Sequence, residues 1–401
     1  MKKILAILLC VAAVSALFVG CAPTDADGTQ LPKGVFEAGY GRVDITPDPQ
    51  HSYDMAGYGA GRPSSAVLDS LYITCTALKD EDGNTYLLYN CDFLKVFTPL
   101  NLSKPSISKA TGVPVENIMI STTHTHSAPG LEYDTPVIID YVKIVKKAMV
   151  QAGEDAVADL KPAKIYTTEI VCEGFNYIRS VGVPVSLMGE ELDNTMELIK
   201  LTREGGKDIV MLNWQGHPRA SAPQYSVMSD VDIIRKNIEP ALDCNFMFFL
   251  GASGNVGNRS DYETYVEHYE ALTDLAVQAA ANFKEVNDGL IKKTTTKVTL
   301  EFKTPGNNKD EVTISVITIG KSVAFVIVPY EMFSYSAKQL KAYSPFDQTI
   351  IVTCTAGHIG YLPTIDTPSD EYEVGATFYV MGSAELLVDN YKTILDQAYG
   401  K

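Results

Sequence analysis

Ile118-Met119-Ile120-Ser121-Thr122-Thr123-His124-Thr125-His126-Ser127-Ala128-Pro129-Gly130 is an apolar run that stops abruptly at His-Thr-His and then turns at Pro-Gly. Its first part has the length and character of a buried strand, and the Pro-Gly marks the turn beyond it. Alternate residues of a strand share a face. An extended chain through this segment therefore projects His124 and His126 together from a strand end, where mixed α/β folds carry chemistry. Only six histidines occur in 401 residues. Two at this spacing read as a metal or acid/base pair, because imidazole is the commonest metal ligand and titrates near neutrality. They also read as two polar strand-end residues bonded to backbone.

Outward from this stretch, strands and helices alternate. Residues 36–47 read as a strand entering a turn, 71–78 and 85–93 as a hairpin around Asp82-Gly83-Asn84, and 97–111 as a helix interrupted at Pro105. A long helix is expected over 136–159. Strands follow at 163–171, 208–214 and 245–250, with helices at 232–242 and 261–283 between and after the last two. Strands at 294–303, 311–319 and 322–328, a helix from 331 to 343, a strand at 349–355 and a helix over 379–399 complete the chain. There is no internal repeat. The alternation predicts a mixed, layered α/β fold, a β-sheet core flanked by helices in a single large domain.

Composition sets limits on function. At 46% hydrophobic and 20% charged the chain is ordinary globular material. A net charge of −16 excludes a nucleic-acid partner, whose binding rests on neutralising phosphates with Lys and Arg. Lys2 and Lys3 followed by an apolar stretch to Val19 form a targeting segment. It ends Leu17-Phe18-Val19-Gly20-Cys21, which resembles a bacterial lipoprotein signal. The expected organisation is a signal peptide at 1–20, lipidation at Cys21, a flexible tether at 21–34 and a catalytic domain at 35–401. That arrangement is extracytoplasmic and anchored to the membrane. The five cysteines beyond Cys21 have no CxxC spacing and read as buried free thiols, with one disulfide as the alternative.

Histidines close three apolar runs: His124 and His126, then His217 in Asn213-Trp214-Gln215-Gly216-His217-Pro218, then His358. A fourth run, Ser322 to Pro329, leads into Tyr330-Glu331. Buried polar groups need partners, and a zinc site of histidine nitrogens and a carboxylate would use them. The residues G-x-G-R-V-D-I-T-P at 39–47, M-A-G-Y at 55–58, N-I-M-I-S-T-T-H-T-H-S-A-P-G at 117–130, N-W-Q-G-H-P at 213–218, V-P-Y-E at 328–331, G-H-I-G-Y-L-P-T at 357–364 and E-Y-E at 371–373 occur in one order. In that order the chain resembles the N-terminal catalytic domain of the neutral/alkaline non-lysosomal ceramidase family.

The resemblance implies a zinc-dependent amidase acting on ceramide or another N-acyl lipid. It implies Zn2+ held by His124, His217, Glu331 and Tyr361, with His126 as acid/base, Arg179 polarising the substrate carbonyl and Tyr372 as a further active-site tyrosine. Two departures stand out. Gly257 occupies the place of a family serine, which favours activated water over a serine nucleophile. Tyr330 replaces a glycine and is expected to crowd the metal's rim. Glu331 also reads as a carboxylate opening a helix, and His358 competes with Tyr361 as ligand. His51 and His268 read as surface residues, and Asp44 as a turn former. Ser253 is a displaced nucleophile candidate, but its surroundings do not satisfy G-x-S-x-G. The alternative to an enzyme is a non-catalytic surface binding protein that keeps the fold.

Overall fold

The computed structural model describes residues 35–57, 61–179, 191–218, 225–258, 262–304, 306 and 308–401. The signal segment, Cys21, the tether and Tyr58 lie outside the described residues.

Nine strands make the larger sheet. They are β1 (Glu37–Asp44), β2 (Tyr72–Lys79), β3 (Thr85–Cys91), β4 (Ile118–Thr122), β5 (Lys161–Val171), β6 (Thr195–Arg203), β7 (Asp208–Trp214), β8 (Cys244–Leu250) and β9 (Lys284–Val286). The order is β8-β7-β6-β5-β1-β2-β3-β4, with β9 paired to β5. The pairs β7/β8 and β3/β4 are parallel and the rest antiparallel. A second sheet holds β10 (Ile291–Glu301), β11 (Lys309–Ile319), β12 (Val323–Ile327) and, past the short β13 (Glu331–Met332), β14 (Gln348–Val352). Its order is β10-β11-β12-β14. The main helices are α1 (Lys104–Thr111), α2 (Pro136–Ala158), α3 (Asp230–Leu242), α4 (Tyr265–Ala279), α5 (Ser334–Tyr343) and α6 (Ser383–Tyr399).

The buried residues sort these elements into four layers. Leu78, Leu88, Met119, Ile199 and Phe249 of the larger sheet meet Ile317, Phe325 and Ile350 of the smaller one. The two sheets therefore pack face to face. On the outer side of the large sheet, α2 covers one half and α3 with α4 the other. Leu387, Val388, Tyr391 and Leu395 of α6 cover the outer side of the small sheet. Burying each such side chain contributes about 1.5–3 kcal/mol, so the inter-sheet core is a large part of what holds the fold.

Local sequence explains the close approach of α2 to β1. Gly39 and Gly41 share a face of β1, and a β-carbon on either would collide with a carbonyl of α2, Ala156 O or Ala152 O. The Gly-x-Gly motif lets backbone lie on backbone. Proline at the start of α2 suits a first-turn position that needs no donor. Asp44 accepts from the backbone N–H and the hydroxyl of Thr46 and closes the turn, as expected. All five cysteines among the described residues are buried and free. No described helix is long and apolar enough to cross a membrane.

Two expectations need correction, and one strand was missed. Residues 331–343 are not one helix: Glu331 lies on β13 and α5 begins at Ser334. His268 is buried among Phe175, Tyr262 and Tyr269 rather than on the surface. Strand β6 was not anticipated, because Met196-Glu197-Leu198-Ile199-Lys200-Leu201 carries several good helix formers.

Candidate metal centre

The site forms where both sheets end. β4 is the buried edge strand of the larger sheet and stops at Thr122. The histidines beyond it do not continue the strand: His124 has φ +61°, in the left-handed region. Strand alternation is thus not what brings the rings together. A turn at His124 folds them face to edge, their centroids 4.8 Å apart. A left-handed non-glycine residue carries backbone strain, which concentrates at functional sites.

His217 follows β7. Its N–H donates to Val256 O at 3.2 Å, and Asn258 Nδ2 donates to its carbonyl at 2.7 Å. Glu331 enters from the second sheet. β13 pairs in parallel with the two-residue strand Tyr361–Leu362, which sets Glu331 directly beside Tyr361. Neighbours in extended backbone point oppositely, so Tyr330 turns into the core against Tyr391 and not onto the rim of the histidine cluster. Gly254 lies against the backbone of Glu331: its N–H donates to Met332 O at 2.9 Å, and a β-carbon there would strike Glu331 O.

The ring nitrogens converge. His126 Nε2 is 3.3 Å from His124 Nε2 and 3.1 Å from His217 Nε2, and His124 Nε2 is 3.3 Å from Glu331 Oε2. His124, His126 and His217 can hold a metal ion, with ligand atoms all within 4.8 Å of one another. The outer nitrogens explain why. His124 Nδ1 is 2.6 Å from Leu94 O and His217 Nδ1 3.2 Å from Ser253 O. A carbonyl only accepts, so each Nδ1 donates, and in the neutral ring each Nε2 carries a lone pair. The lone pairs of His124 and His217 then face His126 Nε2 and the Glu331 carboxylate, donor atoms that a cation at their centre would gather.

The titration pattern places a positive charge at the same point. Burial opposes a charge on His124, but Cys354 and Glu331 outweigh burial and raise its pKa well above the usual value. Burial and then the His124 charge lower His126 to about 3. Burial, His124 and Arg179 hold His217 low. Burial would raise Glu331, yet the histidines, His124 foremost, hold it below the usual carboxylate range. Positive charge is thus concentrated at one point of the cluster.

A pocket of about 460 Å³ opens on this centre, and of the remaining predicted residues His358, Tyr361 and Tyr372 line it. Arg179 is 3.3 Å from the Tyr361 hydroxyl, donates to Gly254 O at 2.6 Å and is held by Glu373 at 3.0 Å. Tyr372 lies at the pocket mouth, 70% exposed, its ring 5.9 Å from that of Tyr361. His358 Nε2 is 3.6 Å from Glu331 Oε1. Ser253 is buried and lends the site its carbonyl, not its hydroxyl. A side chain at Gly257 would meet the ring of Tyr177. Sequence reasoning missed Glu373, although it closes the E-Y-E motif. It also missed the Leu94 carbonyl and Cys354, whose Sγ is 3.5 Å from His124 Nδ1. A backbone carbonyl leaves no sequence signal.

Fold and site together define a mixed α/β protein, two sheets in face-to-face contact, with a histidine-rich candidate metal centre at the sheet ends. Its fold is that of solved ceramidases. It is similar to the neutral ceramidase from Pseudomonas aeruginosa, with a TM-score of 0.78 and 14% identity over 91% of this chain and 75% of that one. It is also similar to a structure described as ceramidase complexed with C2, with a TM-score of 0.76 and 14% identity over 90% and 75%. No protein-family model matches the sequence, and no curated protein matches it.

Proposed function

We propose that the protein is a zinc-dependent amidohydrolase acting on an N-acyl lipid, ceramide among the candidates. The observation that carries this reading is the convergence of three imidazole Nε2 atoms beside the Glu331 carboxylate. Nitrogen and oxygen donors in this number suit Zn2+. The chemistry supplied at such a site is polarisation of a carbonyl and acidification of water to a pKa of about 7.

The chain's own residues have separate tasks. Leu94 O and Ser253 O fix the tautomers of His124 and His217. Arg179, anchored by Glu373, presents its guanidinium beside the Tyr361 hydroxyl, where it can hold a substrate carbonyl oxygen. Leu94, Ile359, Phe378 and Tyr379 give the pocket apolar walls suited to an acyl chain.

Spacing favours His126 as a ligand with His124, His217 and Glu331, since nitrogens bound to one tetrahedral zinc lie about 3.3 Å apart. A second reading has its own support in the pairing of Glu331 with Tyr361. There Tyr361 completes the ligand set and His126 moves a proton for the leaving nitrogen. Metal content separates the two: His126→Ala loses the ion in the first and keeps it, with turnover down about 10²–10⁴-fold, in the second. The reading as a whole is tested by metal analysis beside hydrolysis of an N-acyl amide panel, with and without chelator. Full zinc occupancy with no hydrolysis of any amide would leave a binding protein instead.

A further inference from the structure

Asp310 and Ile359 line the metal pocket and also a second cavity of about 480 Å³, within the range of small-molecule sites. Its apolar wall comes from Met119 of the edge strand β4, from Ile317 of β11, from Ile327 of β12 and from Pro329 and Ile359 beyond it. Four charged side chains line it: Lys104, Lys293, Asp310 and Glu311. Both acids are engaged elsewhere. Asp310 accepts from the Tyr379 hydroxyl at 2.6 Å, and Glu311 pairs with Lys297 at 2.6 Å. Lys293 donates to the carbonyl of Glu116. The Lys104 ammonium has no hydrogen-bond or ion-pair partner among the described residues.

Two half-buried lysines on one cavity with polar and apolar walls, neither paired with a carboxylate, are costly unless something neutralises them. Burial and then repulsion from Lys293 lower Lys104 to about 8, and burial lowers Lys293 as well. At about 8, Lys104 stays mostly charged at pH 7. One anion within reach of the two ammonium groups would relieve both, and the wall beyond them would take an apolar body.

We propose that this cavity binds an anionic amphiphile, its carboxylate or phosphate held by Lys104 and Lys293 and its chain laid along β4 and β11. Resting on the amide-hydrolase reading, the lining shared with the metal pocket makes the cavity a subsite for the acidic part of an N-acyl substrate. An uncharged lipid would leave it unfilled.

The test is calorimetric titration of the full chain with dodecanoate, dodecyl phosphate, dodecanol and inorganic phosphate, each below its aggregation limit. Both amphiphilic anions should bind at least tenfold more tightly than dodecanol and than inorganic phosphate. Lys104→Met with Lys293→Met should reduce the anions to the level of dodecanol. His217→Ala should keep anion binding, so the result does not depend on the metal centre or on turnover. Lys104→Gln alone gives an intermediate loss and serves if the double variant melts early. Unchanged anion affinity in the lysine variants, loss of binding in His217→Ala, inorganic phosphate binding as tightly as dodecyl phosphate, or no binding of either amphiphile overturns the proposal.

Discussion

Gly254→Ala is the sharpest probe of how the centre is built. The added methyl carbon would lie 2.8 Å from Met332 O and closer still to Glu331 O, whereas ordinary contact begins at 3.4 Å. Relief demands about 1 Å of movement at Glu331 O and about 0.6 Å at Met332 O, and the neighbours that must yield are backbone atoms of β13. Glu331 rides on that backbone, with Oε2 3.3 Å from His124 Nε2. Metal-ligand distances tolerate about 0.2 Å, so a shift of this size would misplace Glu331, the proposed ligand, without removing it. Overpacking of a tight site costs about 1–3 kcal/mol, and disturbing a ligand's support costs about 10–100-fold in metal affinity. The assays are denaturant unfolding of the metal-free protein and zinc titration against a competing chelator. A variant that keeps both stability and zinc affinity would refute the claim that Gly254 seats the Glu331 strand.

Four further outcomes follow from the same structure. His124→Ala and His217→Ala should each lose zinc, measured by elemental analysis, and about 1–3 kcal/mol of stability as neighbouring polar groups lose partners. Ser253→Ala should keep its activity on any amide that the wild type hydrolyses, and the wild type should resist a fluorophosphonate probe. Asp159, depressed below its usual 3.8 because bonds from Lys161 and Arg203 outweigh burial, contributes stability above that pH which disappears as pH falls through the folded value. Asp159→Asn should therefore flatten the acid limb of a stability–pH profile. If Cys21 is lipidated, Cys21→Ser should move the protein from the membrane fraction to the soluble one on fractionation.

Much of the secondary structure was legible because its signals are local. The apolar runs at 208–214 and 245–250 are parallel neighbours, as their continuous burial suits. The long helix at 136 is marked by its proline and its spacing. The layering was not legible, since nothing in a strand's pattern says which sheet it will face. At the site, the residue types were readable and the geometry was not. His124 and His126 meet through a left-handed turn and not through strand alternation. Tyr330 faces the core because Glu331 is on a strand, where sequence suggested a helix opening. Arg179 was found from its motif, but its anchor Glu373 lies 194 positions away and only the fold pairs them.

The face-to-face sheets bear on how the chain can be made. Synthesis runs from the N-terminus, and the whole larger sheet is complete before Ile291, the first residue of the smaller one, is joined. Until then Leu78, Leu88, Met119, Ile199, Met211 and Phe249 present an apolar face with nothing against it. Such a nascent chain is a substrate for holding chaperones and for aggregation. A fragment ending before Ile291 would carry His124, His126 and His217 yet have no covered core, so the histidine cluster cannot be studied, or have functioned, apart from the last third of the chain.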